Sequence, residues 1–126
     1  MIIHRIALAQ KTLGIIKSGH YDYKNQTVAV SDAIRRSVEA TFSIAPDDWD
    51  SILEKAQTMN RPPQDMLVTL KNCTTLAALL EASEGTKVGL LNFASAKNPG
   101  GGFLTGAQAQ EESLARTSAS ISPIRK

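Results

Sequence analysis

Apolar residues Ile2, Ile6, Ala9, Leu13 and Ile16 recur at alternating four- and three-residue steps. That spacing predicts one apolar stripe on an N-terminal helix, and Lys17-Ser18-Gly19 supplies a basic last turn and a C-terminal glycine to stop it. Tyr21 to Gln26 reads as a turn-rich connection, and the β-branched run Thr27 to Val30 as a brief strand. Ser31 is placed to cap a second helix running to Val38 or Ala40. Pro46-Asp47-Asp48 opens a third, because proline suits a first turn and acids there complement the helix dipole. Its apolar face is Trp49, Ile52, Leu53 and Ala56. Arg61-Pro62-Pro63 breaks the chain. Met66 to Leu70 is a strand candidate. Thr74 or Thr75 caps a fourth helix carrying Leu76, Leu79 and Leu80, and Gly85 ends it. Lys87 to Phe93 is a nearly continuous apolar run, the pattern of a strand buried on both faces as in a parallel sheet. The glycine-rich loop Asn98-Pro99-Gly100-Gly101-Gly102 follows, and a last helix is predicted from about Ala107 to Ser118. Strand, helix, strand, loop, helix is the α/β pattern.

Composition narrows the class. At 126 residues, with 42% apolar and 21% charged residues, the chain is at most one ordinary globular domain and not a disordered polymer. A net charge of +2 gives no argument for nucleic acid. One cysteine and two histidines exclude an internal disulfide framework and make a zinc site unexpected. The longest apolar run, Val88 to Ala94, is interrupted by Gly89 and Asn92 and falls far short of the roughly 20 residues that span a bilayer. With no signal-peptide pattern at the start, a reduced, cytoplasmic protein is the expectation. Cys73 is expected to be a buried inert thiol, Trp49 a core anchor, and Arg35-Arg36 an exposed helix face. His4 and His20 are expected at the surface. Phe103 is either a plug under the glycine loop or a wall of a ligand pocket.

The chemistry concentrates after the apolar strand. Ligands of α/β proteins bind outside the carboxyl ends of strands, and glycines let backbone N–H groups approach a phosphate or a ribose. Two phosphate motifs fail here. The GxxxxGK[ST] loop needs lysine where Ala107 stands, and the dinucleotide fingerprint needs glycine where Thr105 stands. What remains is Gly100-Gly101-Gly102, seven further residues, then Gln110-Glu111-Glu112. Taken singly, the triplet reads equally well as a flexible turn, and the acids as an ordinary helix start. Their conjunction points to a site, with carboxylates spaced to fold back over a loop that exposes its backbone.

The stretch Leu91 to Thr117, LNFASAKNPGGGFLTGAQAQEESLART, resembles the signature of the microbial-type poly(ADP-ribose) glycohydrolase catalytic domain. Upstream, Arg5, Ala9, Thr12 and Leu13 in the first helix, the Gly19/Tyr21 pair and the Thr27 to Ala40 segment fit that family's N-terminal region. The resemblance implies a macrodomain-like α/β/α sandwich, incomplete here, and a glycoside hydrolase that cleaves ribose–ribose O-glycosidic bonds of poly(ADP-ribose) and releases ADP-ribose. It implies Glu112 as the general acid and Glu111 as the neighbour that holds ribose hydroxyls. Asn98, Gly100, Gly101, Gly102 and Gln110 are implied to bind or position the substrate. It implies no metal and no cofactor. The implied partners are poly(ADP-ribose), ADP-ribose and ADP-ribosylated proteins, with neither nucleic acid nor membrane.

An acid at one position suits this chemistry. Glycosidic cleavage passes through an oxocarbenium-like state aided by proton donation to the leaving oxygen, and the resulting carboxylate can then activate water. Adjacent helical residues diverge by about 100°, which disfavours two carboxylates flanking the bond from opposite faces. The family's domain is longer. Its later strands, its diphosphate loop and its adenine-stacking residues have no counterpart here. Residues 1–126 are therefore expected to be the N-terminal portion of one such domain, with 120–126 an off-pattern tail and the isolated fragment inactive and poorly folded. A non-catalytic ADP-ribose-binding module is the alternative.

Overall fold

The computed structural model describes residues 1–59, 65, 67–82, 87–95 and 97–120. They form two compact units, Met1–Ala40 with Cys73–Lys126, and Thr41–Asn72.

In the first unit, helix α1 (Ile2–Ser18) ends at Gly19, which adopts φ 75° and donates its N–H to Ile15 O at 2.8 Å. The left-handed conformation closes the helix as the sequence predicts. Gly19 O then accepts from the N–H groups of Val30 and Ser31 and from the Ser31 hydroxyl. Ser31 thus ties the start of α2 (Ser31–Glu39) to the end of α1 instead of capping its own helix, whose N-cap is Val30. Between them lies an antiparallel hairpin, β1 (His20–Tyr23) and β2 (Gln26–Ala29), with His20 opposite Ala29 and Tyr23 opposite Gln26. Residues 21–26 are therefore mostly strand, not the turn-rich connection expected. Lys24 and Asn25 alone make the bend, both at positive φ, the pattern of a type I′ turn.

Helix α4 (Thr75–Ala82) starts where expected, and the Thr74 hydroxyl accepts the Ala77 N–H. Gly85, its predicted stop, lies outside the described residues. Residues 87–95 are not in a strand; among the described residues the only sheet is the hairpin. A ladder requires a neighbouring strand, and here the backbone of 91–95 is met by side chains from α5 (Gln110–Thr117). Phe93 is 76% exposed. Helix α5 begins three residues after Ala107 because Ala109, its N-cap, is extended, at φ −144° and ψ −170°. The core lies between α1, a 3₁₀ turn (Phe103–Thr105) and α5: Ala9, Phe103 and Ala115 are buried, flanked by Leu13 and Ile16.

In the second unit a 3₁₀ turn (Pro46–Asp48) leads into α3 (Trp49–Thr58), and the Asp48 carboxylate accepts the Ala45 N–H. No residue of α3 is buried, and Trp49, 55% exposed, is not the core anchor expected from its size. Residues 67–70 of the predicted strand are not in a strand, and Met66 lies outside the described residues.

Candidate active site

The first turn of α5 folds three consecutive side chains back onto the chain that precedes it. Gln110 Oε1 accepts the Phe93 N–H at 2.8 Å, while its Nε2 donates to Leu91 O and to Thr75 Oγ1. One amide side chain therefore does for residues 91 and 93 what a neighbouring strand would do. Glu111, 6% exposed, accepts the Ser95 N–H on Oε2 at 2.8 Å and the Gly100 N–H on Oε1 at 2.7 Å. Glu112, half-buried, accepts the Gly102 N–H on Oε1 at 3.1 Å. Its other oxygen, Oε2, is buried with no hydrogen-bond partner among the described residues. Adjacent on the helix, both carboxylates nevertheless close on one loop.

The loop fits them because it is glycine. Gly100 and Gly101 have φ of 81° and 53°, values that side chains rarely adopt. A Cβ at Gly101 would overlap Glu112 Oε1 and lie 3.2 Å from Glu111 Oε2. Asn98 O accepts the Gly101 N–H, and the Ser95 hydroxyl accepts the Asn98 N–H, so the turn entering the triplet is fixed by its own backbone. Asn98 is exposed beside it. Phe103 lies in the core beneath the loop, which decides between the two roles left open for it.

Two cations brace the exit of the loop, and sequence reasoning missed both. Arg116, 5% exposed, donates to Ala107 O at 2.6 Å. Arg5, on α1, donates to Gly106 O and to Gln108 Oε1, each at 2.7 Å. Burial, then the charge of Arg5, holds the Arg116 guanidinium below its ordinary pKa, and Glu112 opposes both. Arg116 stands four residues after Glu112, a helical spacing that could have signalled it. Arg5 carries no local signal, since its partners lie about a hundred residues away.

The other candidates stay apart from this cluster. Cys73 is exposed, contrary to the buried thiol expected. Its position just before α4 puts it outside the core. Arg35 pairs with Asp32 and Glu39 on an exposed face of α2. Among the described residues no group of three or more His, Cys, Asp or Glu is gathered as a metal site would require. A groove of about 620 Å³ between α1, the hairpin, α2 and the end of α5 is lined in part by Arg116 and includes neither glutamate nor any loop glycine.

Comparisons with known proteins bear on the family and the fold. Residues 9–126 match the family model for the microbial-type PARG catalytic domain. The structure of poly(ADP-ribose) glycohydrolase from Thermomonospora curvata bound to the inhibitor ADP-HPD is 34% identical, with a TM-score of 0.82 over 97% of this chain. A second structure of that protein gives 34% identity, a TM-score of 0.81 and 97% coverage. This chain spans 43% and 45% of the lengths of those two chains. Among curated proteins nothing matches. No described helix is long and apolar enough to cross a membrane.

Proposed function

The chain belongs to the microbial-type PARG catalytic-domain family, and from that premise we propose that its site hydrolyses the ribose–ribose O-glycosidic bond of poly(ADP-ribose), releasing ADP-ribose. The observation that carries the proposal is Glu112 Oε2. Of the four carboxylate oxygens of Glu111 and Glu112, three accept backbone N–H groups, and this one is buried without a donor. A buried acceptor lacking a partner is a place for a proton or for a ligand that brings one. As the acid, Glu112 gives its proton to the leaving ribose oxygen while the bond to the anomeric carbon breaks. As the carboxylate, it then takes a proton from the water that attacks that carbon.

The neighbours take supporting parts. Glu111 accepts two N–H groups and, with about four lone-pair directions on a carboxylate, retains capacity for ribose hydroxyls. The N–H groups of Gly100, Gly101 and Gly102 are taken by Glu111, Asn98 O and Glu112, so the triplet serves the ribose by its lack of side chains, and Asn98 offers an exposed amide beside it. Gln110, with its oxygen and nitrogen both engaged, acts by holding residues 91 and 93. ADP-ribosylated proteins are the carriers of the polymer in this proposal. A cytoplasmic setting is part of it, supported by a single free thiol.

The test is product analysis with a chimera in which this chain is continued by the remaining length of the Thermomonospora curvata enzyme. Polymer incubated in ¹⁸O-water is expected to yield ADP-ribose labelled at the newly freed anomeric position. Polymer retained intact on the protein would favour a binding module, in which Glu112 only contacts ligand.

A further inference from the structure

Glu112 reaches Arg116 by two routes. The first is the helix itself, four residues along α5. The second leaves the helix. Glu112 Oε1 accepts the Gly102 N–H at 3.1 Å. Gly102 O accepts the Ala107 N–H at 3.1 Å. Ala107 O accepts from Arg116 Nη1 at 2.6 Å. The two routes close a ring that contains the last glycine of the triplet, the exit of the loop and one turn of helix. The ring is anchored from outside by α1, where the Thr12 hydroxyl donates to Arg116 O and Arg5 holds Gly106 and Gln108.

Resting on the reading of Glu112 as the acid, we propose that Arg116 is a positioning residue of this site. It fixes Ala107, and through Ala107 and Gly102 it orients the Glu112 carboxylate so that Oε2 faces the substrate. The chemistry of the links favours this role. A guanidinium–carbonyl hydrogen bond is charge-assisted and stronger than a neutral one, and Arg116 is buried beside a second cation, Arg5, a cost that would not persist without a constraint to satisfy. The Ala107 side chain is a methyl group and forms no hydrogen bond with which to fix itself. Without Arg116, the only described hydrogen bonds on residues 106–108 that come from α1 or α5 are those of Arg5, which miss Ala107. Gly102 O would keep the N–H and hydroxyl of Thr105, but its tie to α5 through Ala107 would loosen, and with it the alignment of the N–H that Glu112 Oε1 accepts and the direction of Oε2.

The test reads the links and not the catalysis. In the isotope-labelled chimera that continues this chain with the remaining length of the Thermomonospora curvata enzyme, amide hydrogen exchange is followed at Gly102, at Ala107 and at Gly19, whose N–H bonds Ile15 O outside the ring. Arg116→Met is expected to speed exchange at Gly102 by about tenfold or more while Gly19 keeps its rate. Arg116→Lys, which retains a cationic donor, is expected to restore Gly102 to within about threefold. Equal acceleration at Gly102 and Gly19 would reduce Arg116 to a general stability residue and overturn the proposal. So would unchanged rates, or a lysine variant no better than methionine. Should the methionine variant fail to fold, the ring is read from its other end: Glu112→Gln weakens the acceptor for Gly102 and is expected to speed exchange at Ala107, and an unchanged rate there overturns the proposal. Loss of hydrolysis on Glu112→Gln tests the catalytic reading by itself, so the two can fail separately.

Discussion

A side chain at position 101 has nowhere to go. The backbone there is left-handed, at φ 53°, and a Cβ would run into the Glu112 carboxylate. The left-handed conformation alone costs a non-glycine residue about 1–2 kcal/mol. Gly14, inside α1, is the opposite case: nothing lies within 4 Å of a Cβ built on it, and its backbone is helical. Gly101→Ala is therefore expected to lower the melting temperature, and Gly14→Ala to raise it, through a gain of roughly 0.5–1 kcal/mol in helix propensity. Paired thermal melts of the chimera and its variants decide this, and a Gly101→Ala protein melting with its parent would contradict the crowding at the loop. At this scale the glycine triplet and the paired glutamates were legible, because their meaning lies in spacing within a short stretch of chain. Cys73 and Trp49 were misplaced because burial depends on what packs over a residue, not on its type. Arg5 stood out only through the family resemblance, and its role at the loop was not legible because its partners, Gly106 and Gln108, are remote in sequence.

Among the elements, helices were read more faithfully than strands. The stripe from Ile2 to Ile16 needs only its own period, and α1 ends within two residues of that prediction. The hairpin was half missed: Tyr21 and Asp22 carry no strand signal without Val28 and Thr27 opposite them, and Lys24-Asn25 lacks the glycine that marks such turns. Lys87 to Phe93 has the composition of a buried strand, but pairing is set by neighbours, and the side chains of Gln110 and Glu111 take that place. The hairpin turn offers a test in which two effects oppose each other. Lys24→Asn relieves about 1–2 kcal/mol of left-handed strain, since asparagine tolerates that region. It also gives up the contact of Lys24 Nζ over the Tyr23 ring at 5.2 Å, worth about 0.5–1 kcal/mol at an exposed site. Relief of strain outweighs the lost contact, so a melting temperature higher by a few degrees is expected in calorimetry. A lower value would mean that the ring contact governs the hairpin.

Across the whole molecule the sequence conveyed the family better than it conveyed the packing. The buried apolar residues among those described are Ala9, Phe103, Leu114 and Ala115, while Leu67, Leu70, Leu91 and Phe93 are largely exposed. The chain spans under half of the Thermomonospora curvata chains it matches, with a TM-score of 0.82 over its own length. Within that length lie an α1–α5 base, a glycine loop on Phe103, and two carboxylates of which one buried oxygen has no hydrogen-bond partner among the described residues. The most direct test of that claim is single-turnover release of ADP-ribose from polymer, comparing the chimera with its Glu112→Gln variant while ADP-ribose binding is titrated in parallel. Loss of a general acid is expected to slow release by roughly 10²–10⁴-fold with affinity little changed. A Glu112→Gln protein that releases ADP-ribose at the parent rate would contradict the assignment of Glu112 as the acid.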